Sequence, residues 1–176
     1  QELRRQGMDD TTVVLPQGYA DARFIQENKE LLEGALLGVF TRPFESNIEG
    51  TAAATFLEWA EKSDVQVNDF AIQGWIDADM AATAILEAGP VFDRQSAVDA
   101  FNQLTDYTAS GLISPVDWTV QHNSPRGTTH LPAQECFTFV RVVDGKFELI
   151  GDPDKPWWCW DNSATEWQEP TPTDFD

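Results

Sequence analysis

The order of the first forty residues constrains the fold more than any other feature. Thr11 to Leu15 is a short β-branched run that reads as a buried strand, and Pro16-Gln17-Gly18 ends it as a turn. A helix is predicted from about Asp21, with Phe24, Ile25, Leu31 and Leu32 near one face, and Gly34 caps it. Ala35 to Phe40 reads as a second buried strand. Strand, turn, helix, strand is a βαβ rhythm, which places the chain in the α/β class. Residues 1–6 read as the end of an earlier helix, stopped by Gly7.

The middle of the chain is helical by pattern. Pro43 to Gly50 is a loop, and Thr51 opens a helix with Ala52, Ala53, Phe56, Leu57 and Ala60 along one side. Asn68-Asp69 marks a break. The next helix, about Gly74 to Glu87, is small or apolar nearly all round: Ile76, Ala78, Met80, Ala81, Ala82, Ala84 and Ile85. Such a helix is expected to be covered on more than one side. Asp93 is a good N-cap for a further helix, with Ala97, Phe101 and Leu104 as its inner stripe.

Beyond Gly111 the pattern is irregular up to Pro132. Cys136 to Val143 then alternates as a strand, Asp144-Gly145 is a two-residue hairpin signal, and Phe147 to Ile150 is the return strand. The last stretch, with Trp157, Trp158, Trp160, Trp167, Pro170 and Pro172, has no periodicity and is expected to lie as an irregular tail against the body. The two cysteines, Cys136 and Cys159, admit three readings: a disulfide, two buried thiols, or a zinc site with His122 and His130. A bridge would close a loop of about 23 residues and contribute roughly 3 kcal/mol.

Composition removes several functions. Acidic residues number 30 and basic ones 11, a net charge of −19, which repels nucleic-acid phosphates and anionic headgroups. DNA, RNA and membrane surfaces are therefore not expected partners. No run approaches the roughly 20 apolar residues of a membrane helix. The chain starts at Gln1 inside what reads as a helix, so a mature or truncated product is expected, any export signal having been lost upstream.

The search for catalytic chemistry yields little. There is no Gly-x-Ser-x-Gly elbow, no Gly-rich phosphate loop and no His-Glu-x-x-His helix. His122 and His130 sit in the turn-rich stretch and read as surface or hydrogen-bonded residues. Asp77 and Asp79 are the best-placed carboxylates for a glycosidase-like pair. Their plainer reading puts Asp79 on the polar side of its helix and Asp77 near the N-terminal turn, where it favours the helix dipole. The Trp157-Trp158-Cys159-Trp160 cluster reads as packing over a disulfide; its alternative is a stacking surface for sugars or cations.

Taken in order, these segments resemble the later half of the type I periplasmic binding proteins, the leucine/isoleucine/valine-binding family of ABC-transporter receptors. Leu3-Arg4-Arg5-Gln6-Gly7 is similar to the family's helix ending in Arg-x-x-Gly, and Pro16-Gln17-Gly18 to its ligand-contacting turn. Leu32-Glu33-Gly34-Ala35 resembles its entry into a strand. Gly74 to Ala78, running through Ala84 to Gly89, resembles its small-residue helix ending in Ala-Gly. Asp93-Arg94 opens its next helix, with Ala100-Phe101. Gly111 to Trp118 resembles its Gly-Pro turn before an aromatic, and Val143-Asp144-Gly145-Lys146-Phe147 its late hairpin. The likeness covers residues 1–160.

The resemblance implies a periplasmic-binding-protein-like fold of two Rossmann-like α/β lobes joined by three crossovers, of which this chain is an incomplete C-terminal portion. Residues 1–70 would belong to the second lobe and 71–118 would cross over to supply helices to the first. Residues 119–160 would return to the second with the hairpin, and 161–176 would be a C-terminal tail. Standing alone, the helix around Met80 and Ile85 would expose an apolar face that the missing N-terminal half covers. The implied function is an extracytoplasmic receptor that binds a small polar ligand, an amino acid, amide or related compound, and hands it to an ABC permease. It implies no enzyme activity, catalytic residue, metal or cofactor. Gln17, Tyr19, Gln73, Gly74 and Trp75 would line the cleft, with Ile72 beside them. The family usually meets its ligand's α-ammonium with an acidic residue in the first turn. Gln17 stands there instead, and its neutral amide counts against a simple aliphatic amino acid. Such receptors work where disulfides persist, which favours a Cys136–Cys159 bridge. The alternatives are a secreted glycan-active enzyme using a carboxylate pair and a Trp-rich carbohydrate-binding module.

Overall fold

A computed structural model describes residues 2–8, 10–16, 22–121 and 134–175. After a first turn of helix, α1 (Glu2–Arg5), the chain forms β1 (Val14–Leu15), two short helices α2 (Ala22–Glu27) and α3 (Lys29–Leu32), and β2 (Leu36–Val39). The strands β1 and β2 pair in parallel, Val14 opposite Leu36, so the βαβ rhythm is realised. Both strands are shorter than their sequence runs. The predicted helix breaks at Asn28, whose side-chain amide donates to the Phe24 carbonyl at 2.9 Å. The break turns Ile25 and Leu32 inward and leaves Phe24 exposed.

The mixed six-stranded sheet is organised by β3 (Gln134–Val143). Its C-terminal half pairs antiparallel with β2 and with β4 (Lys146–Leu149). Because Arg141 lies opposite both Leu36 and Glu148, β2 and β4 flank β3 on opposite edges. The β3–β4 turn is the expected two-residue hairpin: Asp144 and Gly145 have φ of 47° and 73°, the left-handed pair that a type I′ turn needs. The helices clasp this turn. Lys29 Nζ lies 2.6 Å from Asp144 Oδ1, and the Asp144 backbone N–H donates to Glu33 Oε2 at 2.9 Å.

The last stretch differs from its expectation. It forms β5 (Trp157–Asp161) and β6 (Thr171–Thr173), and β5 pairs with the N-terminal half of β3. Its alternation is hidden in the sequence because large aromatics point to both faces. Trp157 and Cys159 are buried, while Trp158 and Trp160 are half-buried on the other face. Cys136 stands directly opposite Cys159, and the two form a disulfide with Cα atoms 4.1 Å apart. The bridge pins this register, since a one-residue slip would turn both sulfurs to opposite faces. It also removes the free-thiol and zinc readings, because sulfurs bonded to each other supply no thiolate.

Three helices complete the body: α4 (Ala52–Lys62), α5 (Asp69–Ala88) and α6 (Arg94–Phe101), followed by a last turn, α7 (Trp118–Gln121). The inner stripe of α4 is as expected, with Ala53, Phe56 and Ala60 buried. Asp93 caps α6 in a reciprocal box with Ser96. One core joins Leu37, Val39, Val140 and Val142 of the sheet to Phe56, Ile72, Ile76 and Phe101 of the helices. Arg42, only 2% exposed, ties three distant segments together. Its Nε donates to the Gly111 carbonyl at 3.1 Å, and its Nη2 to the Phe175 carbonyl at 2.7 Å and to the Asp174 carboxylate.

Two variants test this arrangement by urea unfolding. Gly145→Ala is expected to cost about 1–2 kcal/mol for the left-handed backbone alone. Its Cβ would also stand 3.0 Å from Lys29 Cβ. Reducing the Cys136–Cys159 bridge is expected to cost roughly 3 kcal/mol by loop entropy.

Candidate functional site

Strand polarity defines the end of the sheet where a ligand would gather. β2 runs antiparallel to β3 with Val39 opposite Thr138, so the carboxyl ends of β1 and β2 lie beside the middle of β3 and away from its hairpin. In α/β folds, ligands collect outside the carboxyl ends of the strands, where side chains and turns converge without blocking the sheet. Gln17 and Tyr19, which come after β1 in the sequence, lie outside the described residues. The end of β2 is tied down by Thr138, whose buried hydroxyl lies 2.8 Å from the Val39 carbonyl and 3.2 Å from that of Thr41.

From there the chain runs through Phe44 into the helices. Phe44 stacks on Phe56 of α4 at 5.9 Å, and Phe56 meets Trp75 of α5 edge-on at 5.8 Å. This aromatic series connects the carboxyl end of β2 to the second turn of α5. Asn68 starts α5 by accepting the Ala71 N–H at 2.9 Å, five residues before the start expected from sequence. Gln73, Gly74 and Trp75 therefore sit inside a helix and divide between its faces. Trp75 and Ile76 turn towards the core, whereas Gln73 and Gly74 are exposed. A Cβ at Gly74 would meet nothing within 4 Å, so this surface is open.

The earlier helix start changes the reading of Asp77, and the rotation of the helix changes that of Asp79. Asp77 lies in the third turn, not near the N-terminus, and accepts from Gln73 Nε2 at 2.8 Å. Asp79 is four residues beyond Trp75 and shares its inward side instead of facing solvent. There it accepts a 2.6 Å hydrogen bond from the Tyr107 hydroxyl. Tyr107 is buried, its ring packed edge-on against Phe101 at 5.1 Å. Burial first, and then the Asp79 carboxylate, push the phenol above its ordinary value and keep it protonated. The pair borders a groove of about 470 Å3 that also takes in Thr83, Leu104 and Ser110. Sequence reasoning missed Tyr107; the one available signal was the spacing of Asp79 from Trp75.

The alternative sites fare differently. Trp157 is fully buried against Phe175, with ring centroids 5.9 Å apart, and Trp158 donates its indole N–H to the Ile150 carbonyl at 3.1 Å. These two indoles form no exposed stacking platform. His122 and His130 lie outside the described residues. Among the described residues no group of acidic, histidine or cysteine side chains could hold a metal ion, and no helix is long and apolar enough to cross a membrane.

Tyr107→Phe tests the Asp79 contact and should cost about 0.5–1.5 kcal/mol near neutral pH. The native phenol stays protonated in the folded protein above 10.0, its ordinary value, where the unfolded phenol ionises. Its stabilisation is thus whole below that pH and is lost as pH rises above it. Urea midpoints at about pH 8 and about pH 11 should show the native protein falling further than the variant. Compared with known protein families, curated proteins and solved structures, the chain matches none.

Proposed function

We propose that this chain is the C-terminal portion of an extracytoplasmic solute-binding receptor of an ABC importer, and that it forms one side of an interlobe cleft for a small polar ligand. The supporting observation is the two-sided character of the α5–α6 hairpin. Ile72 and Ile76 near the start of α5 anchor it in the core. At the other end Leu86 is 78% exposed and Val91 90% exposed, with Ile85, Phe92 and Val98 also uncovered. Such a cluster, on a chain of net charge −19, supports reading this face as one that another body covers. In the receptor reading that body is the first lobe, formed by the N-terminal half of the same protein.

The same reading gives a role to the helix start. A helix that begins beside the sheet's carboxyl end and continues into the other lobe crosses the hinge. Its exposed residues there, Gln73 and Gly74, face the cleft, and Trp75 supports them from the core side. Gln17 and Tyr19 would approach from the turn after β1. The disulfide fits an oxidising compartment outside the cytoplasm. Ligand binding would shift the population from open to closed lobes, the form a permease engages.

Thermal-shift screening of the two-lobed protein against amino acids, amides, aromatic acids and sugars tests the reading. One ligand class should stabilise it, by about 2.7 kcal/mol at a hundred times Kd, without turnover. Gln73→Ala should weaken that ligand about tenfold and leave the unfolding midpoint unchanged, since the residue is exposed. Leu86→Glu should reduce association with the N-terminal half. Conversion of any compound to product, or stabilisation by none of them, would overturn the proposal.

A further inference from the structure

A second groove, of about 540 Å3, opens beside the disulfide-linked strands and shares no residue with the Gln73–Trp75 surface. Its origin is the pleat. Directly opposite residues of an antiparallel pair project to the same face. Cys136 and Cys159 are one such pair, and their neighbours Glu135 and Trp160, and Phe137 and Trp158, turn to the other face. Phe137 and Trp160 meet edge-to-face there at 6.2 Å. The loop between β5 and β6 brings Trp167 to the same groove, with 76% of its surface exposed. Packing does not account for so exposed an indole.

The charged lining is of one sign. Glu135, Asp161 and Glu166 border the groove, and among the described residues no lysine, arginine or histidine lines it. Glu135 Oε2 accepts from Asn162 Nδ2 at 3.3 Å. The Ser163 hydroxyl and backbone N–H donate to Asp161 at 2.6 and 2.8 Å and hold its carboxyl below the usual carboxylate range. These carboxylates are too dispersed to chelate a metal ion. Aromatic faces with a diffuse negative rim instead suit a cation whose charge is spread over an apolar body. Ring quadrupoles attract such a cation face-on, and losing its weak hydration costs little. The volume lies within the range of small-molecule sites, about 300–1,000 Å3.

We propose that this groove binds a small organic cation of the substituted-ammonium class, held between Trp167 and the Phe137–Trp160 pair with Glu166 and Glu135 as counter-charges. The test titrates the intact protein with choline chloride and with 3,3-dimethyl-1-butanol, its uncharged isostere, following tryptophan fluorescence. Sodium chloride at equal ionic strength is the control. Choline should bind at least about tenfold more tightly than the isostere, and Trp167→Ala should weaken it about tenfold. Glu166→Gln should weaken it by a smaller factor, and added salt should weaken it further. Trp167→Ala removes an exposed side chain, so its urea midpoint should match the native protein; Trp167→Leu, which keeps apolar bulk without the indole face, serves as the second variant. Equal affinity for the uncharged isostere, or choline binding that survives both Trp167 variants, would overturn the proposal.

Discussion

Strand β3 carries the sheet. Ten residues of one strand meet three partners: β5 along the first four, and β2 and β4 on either edge further on. Only the β4 pairing is local, closed by a two-residue turn. The others join residues about a hundred positions apart in one direction and about twenty in the other, so their loops must be closed before the contacts form. The disulfide offsets that cost at the β5 end, and Thr138 ties β3 to the carboxyl end of β2. Both the parallel βα unit and the aromatic strands therefore take their position from β3.

Arg42 does for the helices what β3 does for the strands. A buried guanidinium is costly unless its donors are satisfied. Here they bond the connection beyond α6 at Gly111 and the C-terminal segment at Asp174 and Phe175. The chain leaving β2 is thus fixed to the region that returns from the helical hairpin. The anchored end of that hairpin is set against the sheet, while its far end remains apolar and open. This asymmetry, a firm base with an uncovered tip, is the physical basis of the two-lobed reading.

Much of the local structure was legible in the sequence. Asp144-Gly145 named its own turn because only left-handed backbone fits that hairpin, and Asp93 named its helix start because a short carboxylate satisfies free N–H groups. The inner stripe of α4 followed from helical spacing. The start of α5 is obscured in the sequence because Asn68-Asp69 has the pattern of a break, whereas Asn68 is the cap. The earlier start places Asp77 in the helix interior, whereas the burial of Ile72 and Ile76 fixes the rotation that turns Asp79 towards Tyr107. The strand character of Trp157 to Asp161 was invisible because both faces carry tryptophan, so no polar residue marked the alternation. Of the cleft residues expected from sequence, Gln73 and Gly74 share an exposed face and Trp75 joins the core; Gln17 and Tyr19 lie outside the described residues.

By itself the sequence determined the α/β class, the hairpin, the helix cap and the strongly negative surface, since each depends on neighbouring residues or on summed charge. The tertiary structure decided which distant groups meet: Cys136 with Cys159, Tyr107 with Asp79, Arg42 with Asp174, and Phe137 with Trp160 and Trp167 around one groove. Those pairings depend on strand register and helix rotation. Both are set by the packing of the whole core, and no local pattern encodes them.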